Sequence, residues 1–241
     1  MYNLAISFLL GTLCFGIGWV VAGNWVAGFV PALLGLVICY ISLARRTGRK
    51  LQALAELAAK EFQQGRLANG RRILEKGLDL GRWQFLVESQ IHAQLGAIDY
   101  MQRDWKAARS HLEQAWSRNW MAQGMLAAID HRQGRRAQGL ERLAGSTGPG
   151  KKEAAFWGLY AWMHLENGER DKALEVLNRG LEKLPDSGAL KSMAQAVRNK
   201  RKVKMKAFAP TWYQLFPEHM PKKAMMAHAA NRPGAWPQPR R

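Results

Sequence analysis

The stretch from Gly145 to Lys152 reads GSTGPGKK and nearly spells a phosphate loop. The signature G-x-x-x-x-G-K-[ST] uses backbone N–H groups to cradle phosphates, a lysine to neutralise them and a hydroxyl to hold magnesium. Gly145, Gly150 and Lys151 fill three of the four fixed positions, but Lys152 stands where the hydroxyl belongs. The chemistry also needs a buried strand before the loop and a helix N-terminus after it. The preceding residues, AQGLERLA (137–144), have helical and not strand periodicity. The expectation is a helix stop and a joint between helices, with no nucleotide bound.

The other reactive residue types are scattered. His92, His111, His131, His164, His219 and His228 form no HExxH pair, and Cys14 and Cys39 both lie in an uncharged stretch. GxSxG is absent, and no Cys–His pair falls outside that stretch. The pattern predicts a protein that is not an enzyme, with no metal, no cofactor and no small-molecule substrate.

Charge then says where the chain resides. The sequence holds 36 Lys+Arg against 18 Asp+Glu, a net +18, yet residues 1–44 contain none of these. As helix, 44 residues would extend about 65 Å, roughly twice a ~30 Å hydrocarbon core. Two spans fit, near 4–21 and 26–44, with the turn at Gly23-Asn24. Gly18/Ala22 and Gly28/Ala32 would let the helices approach closely, and Pro31 would kink the second. Arg45, Arg46, Arg49 and Lys50 form a basic juxtamembrane linker (45–50) that holds this end in the cytoplasm. Both termini are then expected to be cytoplasmic, in a bacterial inner membrane. The competing reading, a cleaved secretion signal, needs a basic leader that Met1-Tyr2-Asn3 lacks.

The middle of the chain repeats. Four helix-turn-helix units align over 54–80, 92–116, 124–145 and 157–185, with turn positions at Gly65, Arg103, Gly134 and Gly168. Small residues recur at Ala58/Gly96/Ala127/Ala161 and at Gly70/Ala108/Gly139/Ala173, which would let paired helices cross closely. An ordinary amphipathic bundle shares the 3.6-residue period without those recurring slots. In the fourth unit Trp157, Tyr160, Ala161, Ala173, Leu177, Gly180 and Pro185 fall in the slots of the tetratricopeptide repeat (TPR) pattern. Leu95-Gly96, Ala108, Leu112 and Ala115 do so in the second unit, and Leu57, Ala58, Gly70, Leu74 and Gly77 in the first. The chain thus resembles the TPR family. The expected fold is all-α, a transmembrane helical hairpin (1–44) followed by a TPR-like α-solenoid of about four units (51–186).

The resemblance implies a groove lined by the first helix of each unit. Residue by residue, it maps onto Gln52, Ala59 and Phe62, then Tyr100 and Met101, then His131 and Arg132, then Trp162 and Glu166. Such a lining suits an apolar helix or extended segment of a protein partner, or the chain's own C-terminal segment. A basic capping helix is expected over 187–206, carrying Arg198, Lys200, Arg201, Lys202, Lys204 and Lys206. This patch suits anionic lipid headgroups or an acidic partner, with nucleic acid and simple solvation as the alternatives. An aromatic and then Pro-rich basic tail (207–241) follows. Its APTWYQLFPEHMP (209–221) is rich enough in rings to dock, and NRPGAWPQPRR reads as disordered. The functional expectation is a scaffold that recruits or assembles protein partners, among them a membrane-associated complex, at the cytoplasmic face. The alternative is a membrane-tethered nucleic-acid- or ribosome-associated factor acting through the basic C-terminal region.

Overall fold

The uncharged stretch has one polar joint, and the chain turns there. In the computed structural model, which describes residues 1–221 (and not the side chains of Ala22 and Ala27), helix α1 runs Tyr2–Ala22 and α2 runs Trp25–Gln63. Gly23 ends α1 at φ 63°, where only glycine is free of strain, and the Asn24 side chain caps α2 by accepting from Val26 N–H. Both helices are long and apolar enough to cross a membrane, over Tyr2–Val21 and within Gly28–Gln63. The expected basic tail beyond 221, with Lys222, Lys223, Arg232, Arg240 and Arg241, lies outside the described residues.

The pair packs antiparallel at short range. A Cβ on Gly28 would lie 2.8 Å from the Phe15 carbonyl, one on Gly35 2.9 Å from Cys14 Sγ, and one on Gly11 3.1 Å from Leu36 Cβ. At the open end, Asn3 Nδ2 donates to Thr47 Oγ1 (3.0 Å), both residues buried, while the Thr47 and Ser7 hydroxyls donate to the Leu43 and Asn3 carbonyls. The basic stretch 45–50 is part of helix α2, because its arginines and lysine are good helix formers and the lone Gly48 costs only about 1 kcal/mol. Pro31 likewise lies inside α2 without ending it.

Two compact units follow from the contacts. The first covers Met1–Ile91, and the second begins at His92. The first holds α1, α2, α3 (Leu67–Lys76) and a 3-10 turn, Gly77–Arg82. Helix α4 (Val87–Met101) begins in one unit and ends in the other. The second continues with α5 (Trp105–Gln114), α6 (Trp120–Arg132), α7 (Arg136–Gly145), the single turn α8 (Thr147–Gly150), α9 (Ala154–Glu166), α10 (Arg170–Lys183) and α11 (Gly188–Arg198). No strand occurs among the described residues.

Four helix–turn–helix couples share one turn. Gly65, Arg103, Gly134 and Gly168 have φ of 76°, 63°, 75° and 78°. In each, that residue's N–H bonds three residues back and the next N–H bonds five residues back, as in Gly134 to His131 (3.1 Å) and Arg135 to Asp130 (2.8 Å). The same pair of bonds closes at Arg103 (3.0 and 3.0 Å), where a non-glycine accepts the left-handed conformation at a cost of about 1–2 kcal/mol. The small-residue slots are filled tightly: a Cβ on Gly96 would lie 2.7 Å from Leu112, and Ala108, Ala127, Ala161 and Ala173 are buried. GSTGPGKK joins two couples. Its Lys151 carbonyl accepts from the Trp157 indole (3.2 Å), and Gly150 lies beneath the Phe156 ring.

The expected capping helix over 187–206 is shorter. α11 stops at Arg198, and Lys200 (φ 53°) closes a fifth copy of the same turn, with Arg201 N–H bonding the Ala196 carbonyl at 2.8 Å. No breaker in the sequence forces this. Packing does: Val203, Met205 and Phe208 leave the helix direction to reach the core of α6 and α9. The chain then forms a 3-10 turn (Met205–Phe208), a short α12 (Thr211–Leu215) and a last 3-10 turn (Pro217–His219).

One buried carboxylate ties the middle couples together. Asp130 is fully buried on α6 and receives Arg109 of α5 (2.5 Å), Arg135 (3.2 Å) and Arg142 of α7 (2.9 Å). Asp130→Ala removes the shared acceptor and is expected to cost about 3 kcal/mol, since the arginines regain some water. Arg135→Ala, the most exposed donor, is expected to cost under about 1 kcal/mol. Thermal unfolding of the two variants checks the contrast; equal losses would show that Asp130 is not the shared centre.

Candidate functional site

Side chains from the last turns of three first helices meet on one face of the second unit. Tyr100 comes from α4, His131 and Arg132 from α6, and Trp162 from α9. The chain's own residues 205–219 cover them. Phe208, Trp212, Leu215 and Phe216 of this strap are all buried. One helix-interior glycine makes a seat: a Cβ on Gly158 would lie 2.7 Å from the Phe208 ring. Glycine there costs about 1 kcal/mol of helix propensity, which the burial of that ring offsets.

An aromatic cluster holds the strap. Trp212 and Phe216 stack on each other at 4.5 Å and meet the Trp162 ring at 5.1 and 4.8 Å, while His131 lies 4.9 Å from Trp162. His219 stacks on Phe216 at 5.4 Å and accepts from the Trp212 indole N–H (3.2 Å).

Arg132 locks the arrangement. Its guanidinium lies 4.8 Å from the Trp105 and Phe216 rings and 5.3 Å from Tyr100. Its N–H groups donate to the Leu215 carbonyl (2.9 Å), the Glu218 carboxylate (2.7 Å) and the Tyr100 hydroxyl (2.5 Å). That hydroxyl in turn donates to the Leu215 carbonyl. Burial pushes the Tyr100 phenol up to about 12, against the opposing pull of Arg132, so it remains a donor at neutral pH. Burial among the rings lowers His131 below its ordinary value, because a charged imidazole loses water there.

A groove of about 950 Å³ remains open beside the strap. Lys202, Lys204 and Lys206 line one side, with His131, Trp162, Tyr213 and His219 among the ring-bearing residues around it. The three lysines are exposed, Lys202 and Lys204 in an irregular segment and Lys206 in the 3-10 turn that follows it.

The expected groove residues divide clearly. Tyr100, His131, Arg132 and Trp162 come together. Glu166 is exposed at the groove's rim, its carbonyl accepting from Arg136, and Met101 is exposed and takes no part. Phe62 packs over Gly70 inside the first couple, with Gln52 bonded to Glu56 and Ala59 exposed. Of the basic residues, Arg198 donates to Asn178 (3.0 Å), while Lys200 and Arg201 are exposed. Arg45, Arg46, Arg49 and Lys50 are exposed along α2. Sequence reasoning did not single out Phe208, Leu215 or Glu218. Gly158, inside α9, was the available signal for Phe208.

His92, His111 and His164 each have a polar partner, and His228 lies outside the described residues. His92 and His111 approach at 2.9 Å, and His164 meets Glu169 at 2.7 Å. Lys172 first and then His164 hold Glu169 down at about 2. Among the described residues no group of three His, Cys, Asp or Glu side chains could hold a metal.

Two outcomes follow for the strap. Arg132→Ala and Arg132→Lys are both expected to release residues 208–219, since lysine can neither stack in plane nor reach three acceptors. Amide exchange there should speed up by about 30-fold or more, the equivalent of about 2 kcal/mol; unchanged exchange in both would remove Arg132 from this role. His131 binds its proton more readily in the open state, so the closed state is fully favoured above about pH 6.5 and loses ground as pH falls through the lowered value. Protection at 208–219, taken as the observed exchange rate against the intrinsic rate at each pH, should therefore fall on acidification, and His131→Phe should flatten that fall. No protein-family model matches the chain and no curated protein matches it, so its function rests on this geometry.

Proposed function

We propose that the chain is a membrane-anchored, TPR-like scaffold that recruits or assembles partner proteins at the cytoplasmic face of a bacterial inner membrane. Three features support the reading. Two helices carry apolar stretches long enough to span a bilayer, and the exposed Arg45, Arg46, Arg49 and Lys50 that follow the second stretch favour a cytoplasmic side for this end. Four couples repeat one turn and one set of small-residue slots, the local grammar of a TPR array. The observation that carries the reading is the occupied face: Tyr100, Arg132 and Trp162 grip a short segment by a main-chain carbonyl and two rings. Aromatic anchors seated among arginine and tyrosine are the groups that dominate protein–peptide affinity. We read the chain as a binder and not as an enzyme.

A second reading has its own observation. Lys202, Lys204 and Lys206 share a groove with the partly exposed rings of Trp162 and Tyr213 and with exposed His219, which suits a single-stranded nucleic acid. Three phosphate contacts would give a salt slope of about −2 on logarithmic axes.

The scaffold reading is tested on a full chain carrying Trp212→Ala and Phe216→Ala, its fold checked by circular dichroism. A labelled peptide of residues 208–219 is expected to bind this variant tightly and the unaltered chain weakly. Adding Trp162→Ala should weaken capture by about 2 kcal/mol, roughly 30-fold. Binding that ignores Trp162, or that disappears with the slope expected for nucleic acid, would reject this face as a protein receptor.

A further inference from the structure

The first unit carries a feature that the scaffold reading does not use. The loop between the 3-10 turn and α4 presents Trp83 and Phe85 to the outside, 42% and 59% exposed, while Val87 directly after them is buried. Leu86 between them holds φ 69°, a left-handed conformation costly for leucine, and this bend separates the outward Phe85 from the inward Val87. An isolated exposed ring is ordinary, but two held outward by a strained residue call for a partner.

The position of the loop identifies that partner. Asn3 N–H, in the first turn of α1, donates to the Trp83 carbonyl at 3.1 Å. The Tyr2 ring meets the Trp83 ring edge-on at 5.3 Å, and Tyr2 is itself half exposed. The Asn3 side chain is bonded to Thr47, which sets the same level on α2 between Arg45, Arg46 and Arg49. Tyr2, Trp83, Phe85 and the exposed cations, Arg82 included, therefore share one level at the open end of the hairpin. That is the composition of a membrane–water boundary: amphipathic rings beside basic side chains, directly at the end of a span-competent helix.

We propose that the 82–86 loop is a bilayer seat, with Trp83 and Phe85 inserted at the headgroup boundary so that the first couple rests on the membrane instead of standing clear of it. The proposal rests on the anchoring reading. The rings carry the contact, and the exposed Arg45, Arg46, Arg49, Lys50 and Arg82 complement an anionic leaflet.

The test uses the full chain with Cys14→Ala, Cys39→Ala and Phe85→Cys, the last labelled with an environment-sensitive fluorophore. The protein is reconstituted into phosphatidylcholine–phosphatidylglycerol vesicles, and resistance to carbonate extraction reports integration independently. The expected result is integrated protein whose probe is quenched several-fold more strongly by nitroxide lipids labelled near the headgroup than by aqueous iodide. Integrated protein with an iodide-accessible, lipid-insensitive probe would overturn the seat alone. Protein removed by carbonate would overturn the anchor and the seat together.

Discussion

The guanidinium of Arg132 is the point at which the second unit becomes a single object. It is planar, always charged and weakly hydrated, so it can lie flat among rings while its edge donates in several directions. Trp105 and Tyr100 supply rings from α5 and α4, and the strap supplies Phe216 together with the Leu215 carbonyl and the Glu218 carboxylate. A charge with only 18% of its side chain exposed survives there because each face and edge has a partner. Without it, the Leu215 carbonyl and the Tyr100 hydroxyl would lose a shared donor, and the strap would keep only its apolar seats.

What the sequence made legible was local. A left-handed turn every 31 to 38 residues is written in Gly65, Gly134 and Gly168, and the alignment carried Arg103 into the same slot without a glycine to mark it. The small-residue slots are legible for the same reason: close helix crossing needs Gly or Ala at fixed spacing, and a Cβ on Gly96 or Gly139 would meet a neighbour at 2.7 or 3.0 Å. The hairpin turn at Gly23-Asn24 was legible from polarity alone.

What stayed hidden was nonlocal. Nothing in KLQALAELAAK announces that α2 passes from the uncharged stretch into the first couple without a break, because charge shifts do not stop helices; only glycine, proline or a competing contact does. α11 ends for the opposite reason: Arg198 to Lys206 could continue as helix, but Val203 and Phe208 gain more by packing on α9. For the site, four of the groove positions were legible through the repeat register. Their occupant was open between a partner and the chain itself, and that choice depends on whether Trp212 and Phe216 lie within reach of Trp162. Reach is a property of the folded backbone at Lys200, not of local composition.

The occupied face sets a condition on any scaffold role. A segment tethered by a few residues presents itself at an effective concentration of about a millimolar, so a partner of equal intrinsic affinity displaces it only at similar concentration. Few free proteins reach that in solution. On the scaffold reading proposed above, a partner confined to the same membrane would reach that concentration where a dissolved one would not. Helix α2 runs unbroken from Trp25 to Gln63, so the apolar, span-competent segment and the first couple share one helix. The strap would then act as a threshold, yielding to a segment supplied at comparable concentration or to one whose rings and carbonyl fit Trp162 and Arg132 better than Trp212, Phe216 and Leu215 do.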